Sequence, residues 1–291
     1  MDMKHDMMRY IGWLFIFAVL AACTTAPHEY ANLAPPRAMA IEPARATRPL
    51  VALVLGAGGS RGFAHVGVIK ALEDAHIPVD MVVGSSSGSV VAALYAGGID
   101  GHALETMALG VADSDLIDFT FFGPGRVQGD ALQDYVNKAL ANRSIEALGR
   151  PFAVVATERA TNTMTIFNRG NTGLAVRASS SIPNVFWPVL IEGREYVDGG
   201  LTSRVPVVVA RRMGADVVIA VDVSWRGTSE ADAADIALRP DTPRTRSLDF
   251  SAKVEAIAAG EASAREAVAA IRNRIAAVAA KKRGANVVDA H

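Results

Sequence analysis

Gly84-Ser85-Ser86-Ser87-Gly88 follows the apolar run Met81-Val82-Val83 and precedes Val90-Val91-Ala92-Ala93-Leu94-Tyr95-Ala96, a helix-like stretch. Strand, Gly-x-Ser-x-Gly, helix is the layout of a nucleophile elbow. The turn is sharp. Gly84 and Gly88 have no Cβ, so strand and helix can approach and Ser86 stands at the helix start. A helix N-terminus also presents free N–H groups and a positive dipole end to developing negative charge. The competing reading of these five residues is a serine- and glycine-rich loop, because motifs this short recur by chance.

A second glycine-rich turn lies upstream. Val51-Ala52-Leu53-Val54-Leu55 reads as a buried strand that runs into Gly56-Ala57-Gly58-Gly59-Ser60-Arg61-Gly62, and a helical pattern follows through Phe63, Val66, Ile69 and Leu72. Such loops bind negative charge through backbone N–H groups. A dinucleotide fingerprint counted from Gly56 would need glycine where Arg61 stands, so that match fails. A phosphate-binding P-loop would need a Gly-Lys-Ser/Thr ending, which is missing. An oxyanion hole fits better, with Gly58 and Gly59 N–H groups aimed at an ester oxygen and Arg61 adding positive potential. The bland alternative is a tight turn with packing glycines.

The serine needs a base within hydrogen-bond reach. Only His102 and His291 follow Ser86, the first early in a glycine-rich turn and the second at the last position; His65 and His76 lie upstream and read as structural or solvent-facing. A three-residue triad is poorly supported. A carboxylate acting directly on the serine fits better, and the best candidate is Asp198 in Tyr196-Val197-Asp198-Gly199-Gly200, at the end of a short strand. Alone, it would read as a turn aspartate before two glycines.

Together these residues resemble the patatin-like phospholipases, in particular their bacterial branch. The pattern of that family is a glycine-rich loop ending Arg-Gly, the serine elbow, and a late Asp-Gly-Gly or Asp-Gly-Ala, and all three occur here in order. Ala178-Ser179, Ile182-Pro183-Asn184-Val185-Phe186 and Val205-Pro206-Val207 extend the similarity, which runs from about Pro49 to Ser224. The resemblance implies Ser86 as nucleophile, Asp198 as its base, and Gly58, Gly59 and Arg61 as the oxyanion loop. It also implies phospholipid or lysophospholipid as substrate. Departures are mild: Ala57 lies within the glycine run, Ser89 stands where alanine is usual, and Asn184 replaces a glycine.

Residues 1–22 read as a signal peptide: Lys4 and Arg9 precede an apolar stretch, Ile11 to Ala22, too short to span a bilayer. Leu20-Ala21-Ala22-Cys23 resembles a bacterial lipobox, which implies a lipidated Cys23. A multiply acylated cysteine anchors stably. Thr24 then favours the periplasmic face of the outer membrane. The alternatives are an ordinary cleaved signal or a short anchor with an incidental cysteine. Residues 23–49, rich in Ala and Pro, read as a tether; 50–250 as the catalytic domain; 251–291 as a C-terminal helix and tail. Cys23 is the single cysteine, so no disulfide can form within the chain.

Twenty-nine Lys and Arg balance 30 Asp and Glu, for a net charge of −1. Scattered basic residues and no net positive charge point away from nucleic acid. No metal-ligand cluster is visible, and no cofactor is expected. Further strands are expected at Phe152–Val155, Met164–Phe167 and Val217–Val221. Apolar runs between helical segments indicate an α/β three-layer sandwich with a mostly parallel sheet. Phe121 and Phe122, in the aromatic cluster Asp118–Gly125, are candidates for a lid, against ordinary core. In 252–282, apolar residues at alternating three and four spacings suit a helix packed along the domain or a coiled-coil seam, and Lys281-Lys282-Arg283 a lipid contact or a solvated helix end. The function read from all this is acyl-ester hydrolysis of a phospholipid or lysophospholipid. The rivals are a soluble-substrate esterase or thioesterase and a non-catalytic lipid-binding envelope lipoprotein.

Overall fold

The structure, a computed structural model, describes residues 33–120, 123–224 and 227–288. Its centre is an eight-stranded mixed sheet in the order β5-β6-β3-β2-β1-β7-β8, with β4 added on β3. The strands are β1 (Val51–Leu55), β2 (Met81–Ser85), β3 (Phe152–Glu158), β4 (Thr163–Phe167), β5 (Val189–Ile191), β6 (Arg194–Val197), β7 (Val217–Val221) and β8 (Ile236–Leu238). β1, β2, β3, β7 and β8 run parallel to their neighbours, whereas β4, β5 and β6 pair antiparallel.

β1, β2 and β7 are buried along their whole length. That is why they read as continuous apolar runs rather than alternating ones. Alternate side chains still part to opposite faces. Leu53, Leu55, Val82, Val154 and Ile219 meet one helical layer. This layer contains α1 (Ala64–Asp74), α2 (Ser87–Ala96), α3 (Gly101–Gly110), α4 (Asp113–Leu116), α5 (Asp130–Ala139) and α6 (Thr172–Ser180). Ala52, Val54, Val83, Val155 and Val218 meet the other, thinner layer, built on α7 (Val207–Arg212) and its flanks. A one-turn helix, α8 (Ser229–Asp232), precedes β8, and the chain's long helix, α9 (Lys253–Val288), follows it.

Helix α9 packs along the domain. Its buried Ile257, Ala264 and Ile271 join the main core, so the apolar stripe is used within the chain. The crossing with α1 is very close. A Cβ on Gly67 would lie 1.9 Å from Ile257 O, and one on Gly260 would lie 1.9 Å from Ala64 O. Only glycine permits backbones this near. At the far end, Lys282 Nζ reaches Asp216 Oδ2 at 2.5 Å and Ala46 O at 3.1 Å. That lysine is therefore held by the domain, which argues against the lipid contact considered for it.

Residues 34–49 carry no helix or strand, but they are not free of the domain. Asn171 N–H donates to Ala34 O at 2.8 Å, Ala44 N–H donates to Met213 O at 2.9 Å, and Arg37 bridges to Arg169. The expected tether is thus tied down over this half. Its first part, the expected signal peptide and Cys23 lie outside the described residues, as do Phe121, Phe122 and His291. Asp118, at the start of the aromatic cluster, has a structural job: its carboxylate accepts from Gly129 N at 2.6 Å and Asp130 N at 2.8 Å, capping α5.

Candidate active site

Strand pairing brings the two principal residues together. β4 pairs with β3 across Val154–Glu158, which occupies one edge. The other edge is shared in succession: β2 takes Phe152–Val155, and β6 takes Thr157 and Glu158 in the opposite direction. β2 and β6 therefore meet end to end, with Ser86 leaving one and Asp198 leaving the other.

Ser86 has φ 51° and ψ −129°. A non-glycine residue there is strained by about 1–3 kcal/mol and needs its surroundings to hold it. The hold is visible. A Cβ on Gly84 would stand 2.4 Å from Ser89 Cα, and one on Gly88 would stand 2.1 Å from Leu55 O. Ser89, where alanine is usual, donates its hydroxyl to Ser86 O at 2.6 Å. Ser86 N–H donates to Ser179 Oγ at 2.9 Å, and Ser179 in turn donates to Val155 O at 2.6 Å. Asn184 has φ 64°, the left-handed conformation that the usual glycine would adopt and that asparagine tolerates.

Ser86 Oγ donates to Asp198 Oδ2 at 2.6 Å, and both residues are nearly sealed, at 4% and 7% exposure. The other carboxylate oxygen accepts from Gly200 N–H at 2.7 Å. Burial pushes Asp198 up to about 6, against the opposing pull of the Ser86 hydroxyl, the Gly200 amide and the positive charge of Arg204. The loop carrying Asp198 is pinned as well. Ser85 donates to Ser203 O at 2.8 Å, while Ser203 Oγ and the N–H groups of Arg204 and Val205 all donate to the Glu230 carboxylate.

The glycine-rich loop forms a short 3-10 turn, Gly59–Phe63, ahead of α1. Gly59, at φ 60°, opens that turn, so its N–H has no partner in the turn's own ladder. Gly58 N–H donates to Ser87 Oγ at 3.1 Å. Arg61 Nε donates to Val223 O at 2.7 Å, and burial beside Arg204 lowers the guanidinium's pKa. The loop is braced from far along the chain: Ser60 N–H donates to Ser247 O at 2.8 Å, and the Ser60 and Thr245 hydroxyls pair at 2.7 Å. His65 is fully buried with Nε2 2.8 Å from Gly56 O. Burial pushes it down to about 4, so it is neutral at pH 7 and structural. His102 pairs with Asp74 at the surface.

Ser86 and Ser87 open on an apolar pocket of about 120 Å³, walled by Val91, Leu132, Ile182, Phe186, Leu248 and Phe250. Phe250 also meets Phe63 edge to face at 5.6 Å. Arg204 and the 245–250 segment lie in no motif of the sequence, and Ser179 carries a signal only as part of Ala178-Ser179 in the extended similarity. Among the described residues, no cluster of three metal-ligating side chains occurs, and no helix is long and apolar enough to cross a membrane.

A mixed α/β sheet that presents a strained serine between two glycines at the end of a parallel strand has the layout of a serine elbow. The sequence model described as Patatin-like phospholipase matches residues 53–211, more than half of the chain. The chain belongs to that family. It is 35% identical over 181 residues to human patatin-like phospholipase domain-containing protein 6, covering 60% of this chain and 13% of that protein. It is 35% identical over 189 residues to an uncharacterized NTE family protein of Mycobacterium tuberculosis, covering 64% and 52%. It is 36% identical over 179 residues to lysophospholipase NTE1 of Coccidioides immitis, covering 60% and 11%. The chain thus spans at most about half of these relatives. Among solved structures, VipD of Legionella pneumophila shares the fold, with a TM-score of 0.59 at 13% identity over 87% of this chain and 72% of that one.

Proposed function

We propose that the protein hydrolyses acyl esters of phospholipid or lysophospholipid through an acyl-enzyme on Ser86, with Asp198 as the base. The observation that carries this reading is the 2.6 Å bond from Ser86 Oγ to a buried Asp198 carboxylate, beside an apolar pocket. Asp198 takes the hydroxyl proton as Oγ attacks the carbonyl carbon. The carbonyl oxygen becomes an oxyanion, facing donors of the Gly59 loop. When it collapses, the bond to the alcohol oxygen breaks, and Asp198 returns the proton to the leaving alcohol. Water then enters, loses a proton to Asp198 and attacks the acyl carbon; the bond from that carbon to Ser86 Oγ breaks, Asp198 returns the proton to Oγ, and fatty acid leaves. The apolar pocket suits an acyl chain. The lipid class is supported by family membership and by the lysophospholipase among the relatives.

The test is release of fatty acid from mixed lysophospholipid micelles by the full chain in detergent. Ser86→Ala is expected to abolish it, together with labelling by a serine-directed phosphonate. Hydrolysis of a short soluble ester alone would replace the lipid reading with a general esterase. Loss of neither activity in Ser86→Ala would remove the serine mechanism.

We also propose anchoring of the chain in a bacterial envelope through lipidated Cys23, at the periplasmic face of the outer membrane. The support is the Leu20-Ala21-Ala22-Cys23 sequence after an apolar stretch. Radiolabelled palmitate is expected in the parent protein and not in Cys23→Ala; equal incorporation would refute the anchor.

A further inference from the structure

One of the two amides expected to hold the oxyanion is already engaged. Gly58 N–H points at Ser87 Oγ, 3.1 Å away. One hydrogen cannot point at Ser87 and at a carbonyl oxygen with full strength, because hydrogen bonds weaken steeply as they bend. Ser87 is the residue directly after the elbow serine. It lines the same apolar pocket, alongside Ser86 and Gly59. Its hydroxyl sits where a side chain on Gly62 would exclude it: a Cβ there would stand 2.6 Å from Ser87 Oγ. The loop glycine therefore makes room for a hydroxyl, and the loop amide fixes it.

An oxygen that accepts from an N–H keeps its own O–H to donate. Acceptance of that bond polarises the hydroxyl and strengthens it as a donor. Among the described residues, no hydrogen bond of the Ser87 O–H to a protein acceptor occurs. We propose that Ser87 is a further catalytic residue: its hydroxyl donates to the substrate's carbonyl oxygen as negative charge develops, and the Gly58 amide acts through it. The donors at that oxygen are then the Gly59 amide and the Ser87 hydroxyl. This rests on Ser86 being the nucleophile. It reassigns Gly58 from a direct donor to a positioning group.

The test compares parent, Ser87→Ala and Ser87→Cys, as full chains in detergent, on an oxygen ester and its thiono counterpart, in which sulfur replaces the carbonyl oxygen. Sulfur is a poor acceptor, so a lost donor matters less to the thiono ester. Ser87→Ala is expected to lower kcat on the oxygen ester about 100-fold, the scale of a single oxyanion donor, with KM nearly unchanged. The oxygen-to-sulfur rate ratio should shrink by a similar factor. Ser87→Cys keeps the packing but offers only a weak donor, and should resemble Ser87→Ala. A fall in kcat with an unchanged ratio, or a fully active Ser87→Cys, would make Ser87 merely structural and overturn the proposal. Unchanged or faster turnover by Ser87→Ala would show that the freed Gly58 amide is the direct donor. A parent that cleaves neither ester removes the nucleophile reading, and this proposal with it.

Discussion

Asp198→Asn loses ester hydrolysis, by about 10³-fold or more, and melts at a higher temperature than the parent. The two effects have one cause. Asparagine can keep both hydrogen bonds, with Oδ1 on Gly200 N–H and Nδ2 turned to Ser86 Oγ, but it cannot take a proton. The carboxylate it replaces is held at about 6, against an ordinary value of 3.8, chiefly by burial. That gap is a penalty of about 3 kcal/mol on the charged form. Because the folded value is raised, the native state keeps its proton after the unfolded chain has lost it. The Asp198 contribution to stability therefore falls as pH rises from about 4 to about 6 and is level above that, while buried His65, held down at about 4, contributes the opposite slope over the same range. Only the Asp198 part is missing in Asp198→Asn, so the variant's advantage over the parent should grow between pH 4 and 6, reaching on the order of 1–3 kcal/mol at neutral pH. Parent activity runs the other way, rising through pH 6 as the base ionises. Melting curves and kcat between pH 4 and 8 check both. A variant less stable than the parent at pH 7 would contradict the burial argument.

Gly67→Ala destabilises the fold by about 3 kcal/mol and lowers turnover. The added Cβ would stand 1.9 Å from Ile257 O and 2.7 Å from Glu261 N. Both are backbone atoms, which cannot rotate aside as a side chain would, so overpacking is at its most severe. Helix α9 must lift from α1, drawing on the preceding 245–250 segment that braces the glycine loop. Gly284→Ala, on the same helix with nothing within 4 Å of the added atom, is the matched control. It should be neutral or slightly stabilising, because alanine favours helix. Thermal melts of the two variants decide the matter; equal stability would mean that the crossing is looser than described.

What the sequence made legible follows from how each feature is encoded. β1, β2, β3 and β7 were readable because continuous apolar runs between helical patterns mark strands covered on both faces, whereas half-exposed β4 was readable from Met164-Thr165-Ile166-Phe167, rich in strand-forming side chains. β5 and β8, three residues each, are too short for any periodicity. Ser86 and Asp198 were legible because turn chemistry surrounds each with glycines. The partners of Ser86 were not. Ser179 approaches it only because α6 lies behind the elbow, and Leu248 and Phe250 reach the pocket only because α9 returns across α1. Arg61 Nε donates to Val223 O, so this side chain fixes the loop, a role that the charge expected of it did not reveal. Spacing reveals local turns; a contact across the sheet depends on the whole topology.

The bond between the Ser60 and Thr245 hydroxyls joins positions 185 residues apart. It gives the chain an order in time. A ribosome delivers the glycine loop early, the elbow next and the carboxylate later, yet the brace on the loop comes almost last. A nascent chain, or one clipped ahead of Thr245, would carry every motif of the family and still have a slack loop beside its serine. Ordering of the loop thereby waits for the segment around Thr245, a useful delay for an enzyme acting on the phospholipid proposed above.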